Sequence, residues 1–349
     1  GTINISNVDS NGIAFGYGAD RLENSGTISI DGVNCQGIRM DSGDGPSLDA
    51  AGDDVLINTG TIAIGNIQCS AVVMAGGDDT FENNGGTITI NRVNSGGSIG
   101  LGSGDDTFTN SGSIDMQYVD YIAIGMTSGN DEFSNTGTIN IRQTSCTGIS
   151  LGSDGTPEND VDSFFNSGTI TIDQAECHGI DMGDAPIDMI DYDGNPLRDE
   201  FINEGTINIG RTNCSGIQFY SGDSYLENSG TINIDNAYNY GHGIDMGSNG
   251  GGNSELINSG DINIRFANYA GIAMGSGDDT FTNSGTVDIG FASCAGISLG
   301  SEGSGDLSNP AGNDSFWNQE GGIIEIGRVN RDAILIGSYA TYNSTSLEI

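Results

Sequence analysis

Aspartate recurs beside glycine in this sequence at intervals that stack carboxylates at one place in a repeating unit. Asp20, Asp54, Asp79, Asp106, Asp131, Asp162, Asp199, Asp279 and Asp314 form one series, interrupted by Ser224 and Ser254, and each aspartate stands two residues before a large apolar side chain. A second series precedes it by one residue: Asp53, Asp78, Asp105, Asn130, Asp223, Asp278 and Asn313. Carboxylates one rung apart repel by about 1 kcal/mol per pair even at the dielectric of water, and the cost accumulates along a row. Salt screening is one remedy. The other is a hard divalent cation that takes carboxylate and backbone carbonyl oxygens from neighbouring corners.

Cysteine and histidine offer other chemistry. Cys35, Cys69, Cys146, Cys177, Cys214 and Cys294 all fall nine residues after the glycine that opens a unit, so they share one structural position, expected to face the interior. Adjacent rungs bring Cα atoms to about 4.8 Å, within disulfide range, and Cys35 with Cys69 could pair. The run Cys146, Cys177, Cys214 is odd-numbered and Cys294 has no neighbouring cysteine, unlike a disulfide framework. The expectation is buried thiols that act as small apolar fillers. His178 and His242 stand in no zinc-ligand or triad spacing. Asp184, Asp188, Asp191, Asp193, Asp199 and Glu200 are the one group of carboxylates that could converge off the repeat, as glycoside hydrolysis would need. Without a second such group, the chain reads as a non-enzyme.

A repeat must position these residues. The phrase Gly-Thr-Ile-x-Ile, or a close variant, begins at Gly1, Gly26, Gly60, Gly86, Gly112, Gly137, Gly168, Gly205, Gly230, Gly260, Gly285 and Gly322, so the unit is 25 residues with occasional insertions. Apolar residues come in pairs two apart, the period that puts side chains on one face of a strand, with Gly, Asn, Asp and Ser between the pairs. These features predict an all-β fold, a right-handed parallel β-helix (β-solenoid) of about 12 rungs and about 58 Å long at 4.8 Å per rung. Two further columns follow from the register. Asn24, Asn58, Asn83, Asn110, Asn135, Asn166, Asn203, Asn228, Asn258, Asn283, Asn318 and Asn343 stack at one corner, and Leu22, Leu56, Phe81, Phe108, Phe133, Phe164, Phe201, Leu226, Leu256, Phe281 and Phe316 stack two residues earlier. Insertions from Met40 to Asp53, Leu151 to Asp162, Met182 to Asp199, Met246 to Asn253 and Leu299 to Asn313 all fall at another corner, where binding loops would project. Residues 1–349 read as a single elongated domain, and because sequence start and end fall in the same phase of the repeat, as a segment of a longer or polymerising chain.

Composition narrows the partners. The 349 residues carry 48 acidic and 9 basic side chains, every basic one an arginine, for a formal charge of -39. Nucleic acid and anionic membranes would be repelled, and cations attracted. No apolar run of about 18 residues is present, so nothing here reads as a membrane-spanning helix.

Gly102-Ser103-Gly104-Asp105-Asp106-Thr107-Phe108 and Gly275-Ser276-Gly277-Asp278-Asp279-Thr280-Phe281 resemble the G-x-G-x-D-x-hydrophobic core of the calcium-binding nonapeptide of RTX toxins and adhesins. Gly76-Gly77-Asp78-Asp79-Thr80-Phe81 and Ser128-Gly129-Asn130-Asp131-Glu132-Phe133 match less fully. The resemblance implies Ca2+ bound by Asp78, Asp79, Asp105, Asp106, Asn130, Asp131, Asp278, Asp279, Asn313 and Asp314, with Asp79, Asp106 and Asp131 as the leading ligands. One such corner per turn, rather than two in tandem, departs from that pattern. Over its whole length the chain is similar to β-solenoid passenger regions of bacterial autotransporters and large surface adhesins, which implies an extracellular or cell-surface rod, adhesin or filament. Its partners would be other copies, head to tail, or a cell-surface glycan. Two alternatives are a β-helix that binds or degrades polysaccharide, and an ice- or lattice-binding surface built on rows such as Thr169-x-Thr171 and Thr206-x-Asn208.

Overall fold

Thr-Ile-x-Ile segments favour strands because β-branched side chains suit a pleated, half-buried surface. In the computed structural model, which describes residues 1–40, 52–152, 160–185, 189–190, 197–247, 252–300 and 312–337, all regular structure is strand and there is no helix among the described residues. Each turn of the chain contributes one strand to each of three parallel sheets, of 12, 12 and 11 strands. Thr27–Val33, Ile38–Arg39 and Val55–Asn58 make up one such turn. The molecule is a parallel β-solenoid.

The register is residue for residue. In the first sheet Ile3 pairs with Ile28 and Ile5 with Ile30, and the same phase persists eleven strands later, where Ile289 pairs with Ile326. In the third sheet Leu22 pairs with Leu56, and Phe281 with Phe316. The core is therefore a set of like-on-like columns. The rings of Phe81, Phe108, Phe133, Phe164 and Phe201 stack with centroids 4.3–5.0 Å apart and planes within 7°. All five are no more than 1% exposed.

Glycine opens each unit for a steric reason. A Cβ on Gly137 would lie 2.2 Å from the carbonyl oxygen of Gly112 in the preceding turn, and the contact recurs at Gly168, Gly205 and Gly230. Where Asn83 precedes its unit start by three residues instead of two, the register still holds, because Gly85 takes a φ of 70° and absorbs the extra residue. The segments 41–51, 153–159, 186–188, 191–196, 248–251 and 301–311, which contain most of the corner insertions, lie outside the described residues.

Candidate functional site

Two polar columns run through the corners that flank the third sheet. At its exit the asparagines satisfy one another. Each Nδ2 donates to the Oδ1 of the asparagine in the next turn, from Asn24 to Asn58 at 2.8 Å through to Asn283 to Asn318 at 2.8 Å, in ten successive bonds. The second amide hydrogen reaches the carbonyl of the unit glycine, as in Asn135 to Gly137 at 3.3 Å, and the glycine N–H returns a bond to Oδ1, as in Gly112 to Asn110 at 3.3 Å. An amide carries both donors and acceptors, so this column closes on itself.

At the entrance to the third sheet the aspartates do something different. Oδ1 of each accepts the backbone N–H of the preceding turn's residue: Asp79 N–H to Asp106 at 2.8 Å, Asp106 to Asp131 at 2.9 Å, Asp131 to Asp162 at 2.9 Å, Asp162 to Asp199 at 3.0 Å. The carboxylate here takes the place of a ladder carbonyl at a bend where the backbone cannot supply one. The series pauses at Ser224 and Ser254, whose hydroxyls bond each other at 3.0 Å, and resumes at Asp279, which accepts from Ser254 N–H at 3.0 Å. The second oxygen is less well served. Oδ2 of Asp79, Asp106, Asp131, Asp199 and Asp279 is buried without a hydrogen-bond partner, in residues no more than 2% exposed.

Burial makes these carboxyls weak acids. Desolvation outweighs the N–H bond each accepts, and neighbouring aspartates push the same way, so Asp79 is raised to about 8, Asp106 to about 7, Asp131 to about 9 and Asp279 to about 8. Asp162 is raised to about 9 by burial and by Asp199, and Asp199 is itself raised well above the carboxylate range by burial. Half-buried Asp314 is raised in the same direction, chiefly by desolvation.

The second acidic series forms its own column one residue away, exposed except at Asp223 and bonded in the opposite direction. Asp105 N–H donates to Asp78 at 3.0 Å, Asn130 N–H to Asp105 at 2.8 Å and Asn313 N–H to Asp278 at 2.7 Å. Successive N–H groups in a strand point to opposite edges, so adjacent residues reach for opposite neighbours. The ten residues expected to ligate calcium are thus brought together as two antiphase columns. Among the described residues no three His, Cys, Asp or Glu side chains converge on one point.

The cysteine column also forms. Cys177 N–H donates to the Cys146 carbonyl at 3.1 Å and Cys214 N–H to Cys177 at 3.1 Å. Its place differs from expectation: Thr144, Ala175 and Thr212, two residues earlier, fill the interior, whereas the cysteines other than Cys294 are half-buried at the bend that follows. No disulfide joins any of the six. Of the carboxylates at the long insertion, Asp188, Asp191 and Asp193 lie outside the described residues. Asp184 and Asp199 are described but belong to the rungs, Asp184 accepting from the Ser221 hydroxyl and Asp199 in the buried column.

Two features escape the sequence reading. His178-Gly-Ile-Asp181 and His242-Gly-Ile-Asp245 occupy equivalent positions two turns apart, with Ser215 and Gln218 in the turn between, and all six polar residues are at most 9% exposed. His178 Nε2 lies 3.2 Å from the Tyr220 hydroxyl, and His242 Nε2 lies 3.7 Å from Asp245 Oδ2. The duplicated His-Gly-Ile-Asp-Met string was the available signal. The outer face of the first sheet carries the second feature, an open groove of about 600 Å3 lined by Asn208, Asn233, Asn263, Asp235, Arg265 and Asp288. Its asparagines form a second amide chain, at 2.8 and 2.9 Å, and beside it Phe266 stacks on Phe291 at 5.2 Å.

No family model matches this chain, and neither a curated protein nor a solved structure does.

Proposed function

We propose that the chain is a rigid segment of an extracellular or cell-surface assembly, a structural or adhesive rod without catalytic activity, whose acidic corners are stabilised by calcium. The observation that carries this reading is the unbroken register: bending such a coil would shear three hydrogen-bonded sheets and five or more side-chain columns at once. Such a molecule is suited to holding things at a distance and to presenting a periodic surface to many copies of one partner, whether another copy of itself or a surface glycan.

The calcium part rests on the donor set. The buried Oδ2 atoms of Asp79, Asp106, Asp131 and Asp279 are hard oxygens with no proton donor in reach, the kind of ligand calcium takes. Half-buried Asp314 would contribute from the same inner column, Asp78, Asp105, Asn130, Asp278 and Asn313 from the exposed side, and backbone carbonyls would complete the shell. Bound calcium would supply the positive charge that lets the inner carboxyls ionise. The likeness of these corners to RTX repeats supports the same reading.

Electron microscopy of the purified chain should show straight rods, and compact particles would overturn the rod. The melting temperature should rise in millimolar calcium and fall in chelator, and no response to either would remove the metal. The amide-lined groove on the first sheet favours one second reading, a polysaccharide lying along the rod. Retention on immobilised polysaccharide, lost in Asn233→Ala with Asn263→Ala, would support it.

A further inference from the structure

The cysteine column is half-buried apart from Cys294 and holds no disulfide, and in it the Sγ atoms of Cys146 and Cys177 approach to 3.3 Å. The two residues sit directly above one another, held by the bond from Cys177 N–H to the Cys146 carbonyl at 3.1 Å. Neighbouring Cα atoms one rung apart, at about 4.8 Å, lie within the range a disulfide spans, so closing the bond needs rotation of side chains and not movement of strands. The next thiol, Cys214, is in the same column, and burial raises its pKa. Cys69 is raised in the same way, by burial and by the thiol of Cys35 beneath it.

We propose that Cys146 and Cys177 are a covalent modification site, a dithiol clip that small-molecule disulfides such as oxidised glutathione convert to an inter-rung disulfide. The thiolate of Cys146 attacks one sulfur of the small disulfide, forming a mixed disulfide and releasing one small thiolate. The thiolate of Cys177 then attacks the Cys146 sulfur, forming the Cys146–Cys177 bond and releasing the second. The two protons given up by the cysteine thiols are taken up by the two released thiolates, and the two electrons reduce the small disulfide to two thiols. The product staples consecutive turns across a closed loop of 31 residues. A repeat array can otherwise open one interface at a time, and the clip closes one of those interfaces covalently. Reduction reverses it, so the rod has a locally lockable joint set by the redox state of its surroundings.

The test keeps only Cys146 and Cys177, with Cys35, Cys69, Cys214 and Cys294 each changed to serine, and compares it with a variant that keeps Cys146 and Cys294, which are five turns apart. Both are treated with oxidised glutathione at pH 8 and then assayed for alkylatable thiols, mass and melting temperature. The first variant should go from two reactive thiols to none, lose two hydrogens in mass as a monomer, and melt higher until reductant restores the starting value. The second should form no intramolecular bond. Two thiols that stay reactive in the first variant, stable mixed disulfides with glutathione, or bonds only between molecules would each overturn the proposal. Circular dichroism of the reduced variants against the parent chain guards against misfolding, and if they fail to fold, mapping of cross-linked peptides in the oxidised parent decides the same point by the presence or absence of the Cys146–Cys177 linkage.

Discussion

The asparagine and aspartate corners are built on the same geometry, a short polar side chain stacked turn upon turn and sealed from water, yet they solve it unequally. Asn135 accepts from Asn110 at 2.7 Å, donates to Asn166 at 2.8 Å and bonds its own corner, so nothing is owed to the solvent. Asp131, four residues earlier, accepts one N–H from Asp106 at 2.9 Å and leaves Oδ2 buried without a partner. The difference is one of donors. A column of groups that both give and accept is complete at any pH, whereas a column that only accepts must hold a proton or a cation. The first is complete in itself, and the second is the column in which a response to pH or to a cation is expected.

The largest expected effect is collective. In chelator, rising pH should destabilise the coil across the window from about 4, where an unfolded aspartate ionises, to about 9, where the buried ones do. The sign follows from proton counts: in that window the folded chain holds more protons than the unfolded one, so stability is fully present below pH 4 and is lost as pH rises through the folded values. Urea midpoints taken at intervals of pH measure it, and calcium should flatten the decline. A profile that is level from pH 5 to 9 in chelator would erase the distinction between the two corners.

Next in size is Asn135→Asp, which carries the chemistry of the second column into the first. It removes the donor to Asn166 and sets oxygen against oxygen, so stability at pH 7 should fall by about 3 kcal/mol in urea unfolding, and by less at pH 4, where a protonated carboxyl can donate. The converse change, Asp131→Asn, keeps an acceptor for the Asp106 N–H and removes the charge. It should gain about 1 kcal/mol at pH 9 in chelator, change little at pH 5, and reduce the stabilisation that calcium gives. Smallest is Asp105→Asn in the exposed column, which retains its bond to Asn130 N–H and should shift stability by no more than about 0.5 kcal/mol at any pH in chelator.

Much of this was legible in the sequence because like residues stack on like. The glycine that opens each unit, the paired isoleucines, and the leucine and phenylalanine series two residues before each asparagine carry a register that survives the extra residue after Asn83. The two acidic series were visible as neighbours, but their opposite bonding directions were not, since these depend on which strand edge each N–H faces. The cysteines shared one position as expected, yet a spacing of two from a core residue suggested the interior when the chain in fact bends between Thr144 and Cys146. The His-Gly-Ile-Asp pair was hidden by distance: His178 and His242 are 64 residues apart in sequence but two turns apart in the coil.

The central claim is that the buried aspartates are not bare anions at neutral pH. Isotope-edited infrared spectroscopy of the chain with labelled aspartate reads it directly, because a carboxylic acid and a carboxylate absorb at separate frequencies. In chelator at pH 7, protonated carboxyl bands should persist for the inner column and vanish on addition of calcium, with protons released to the medium. Every aspartate already ionised at pH 7 without calcium would contradict it.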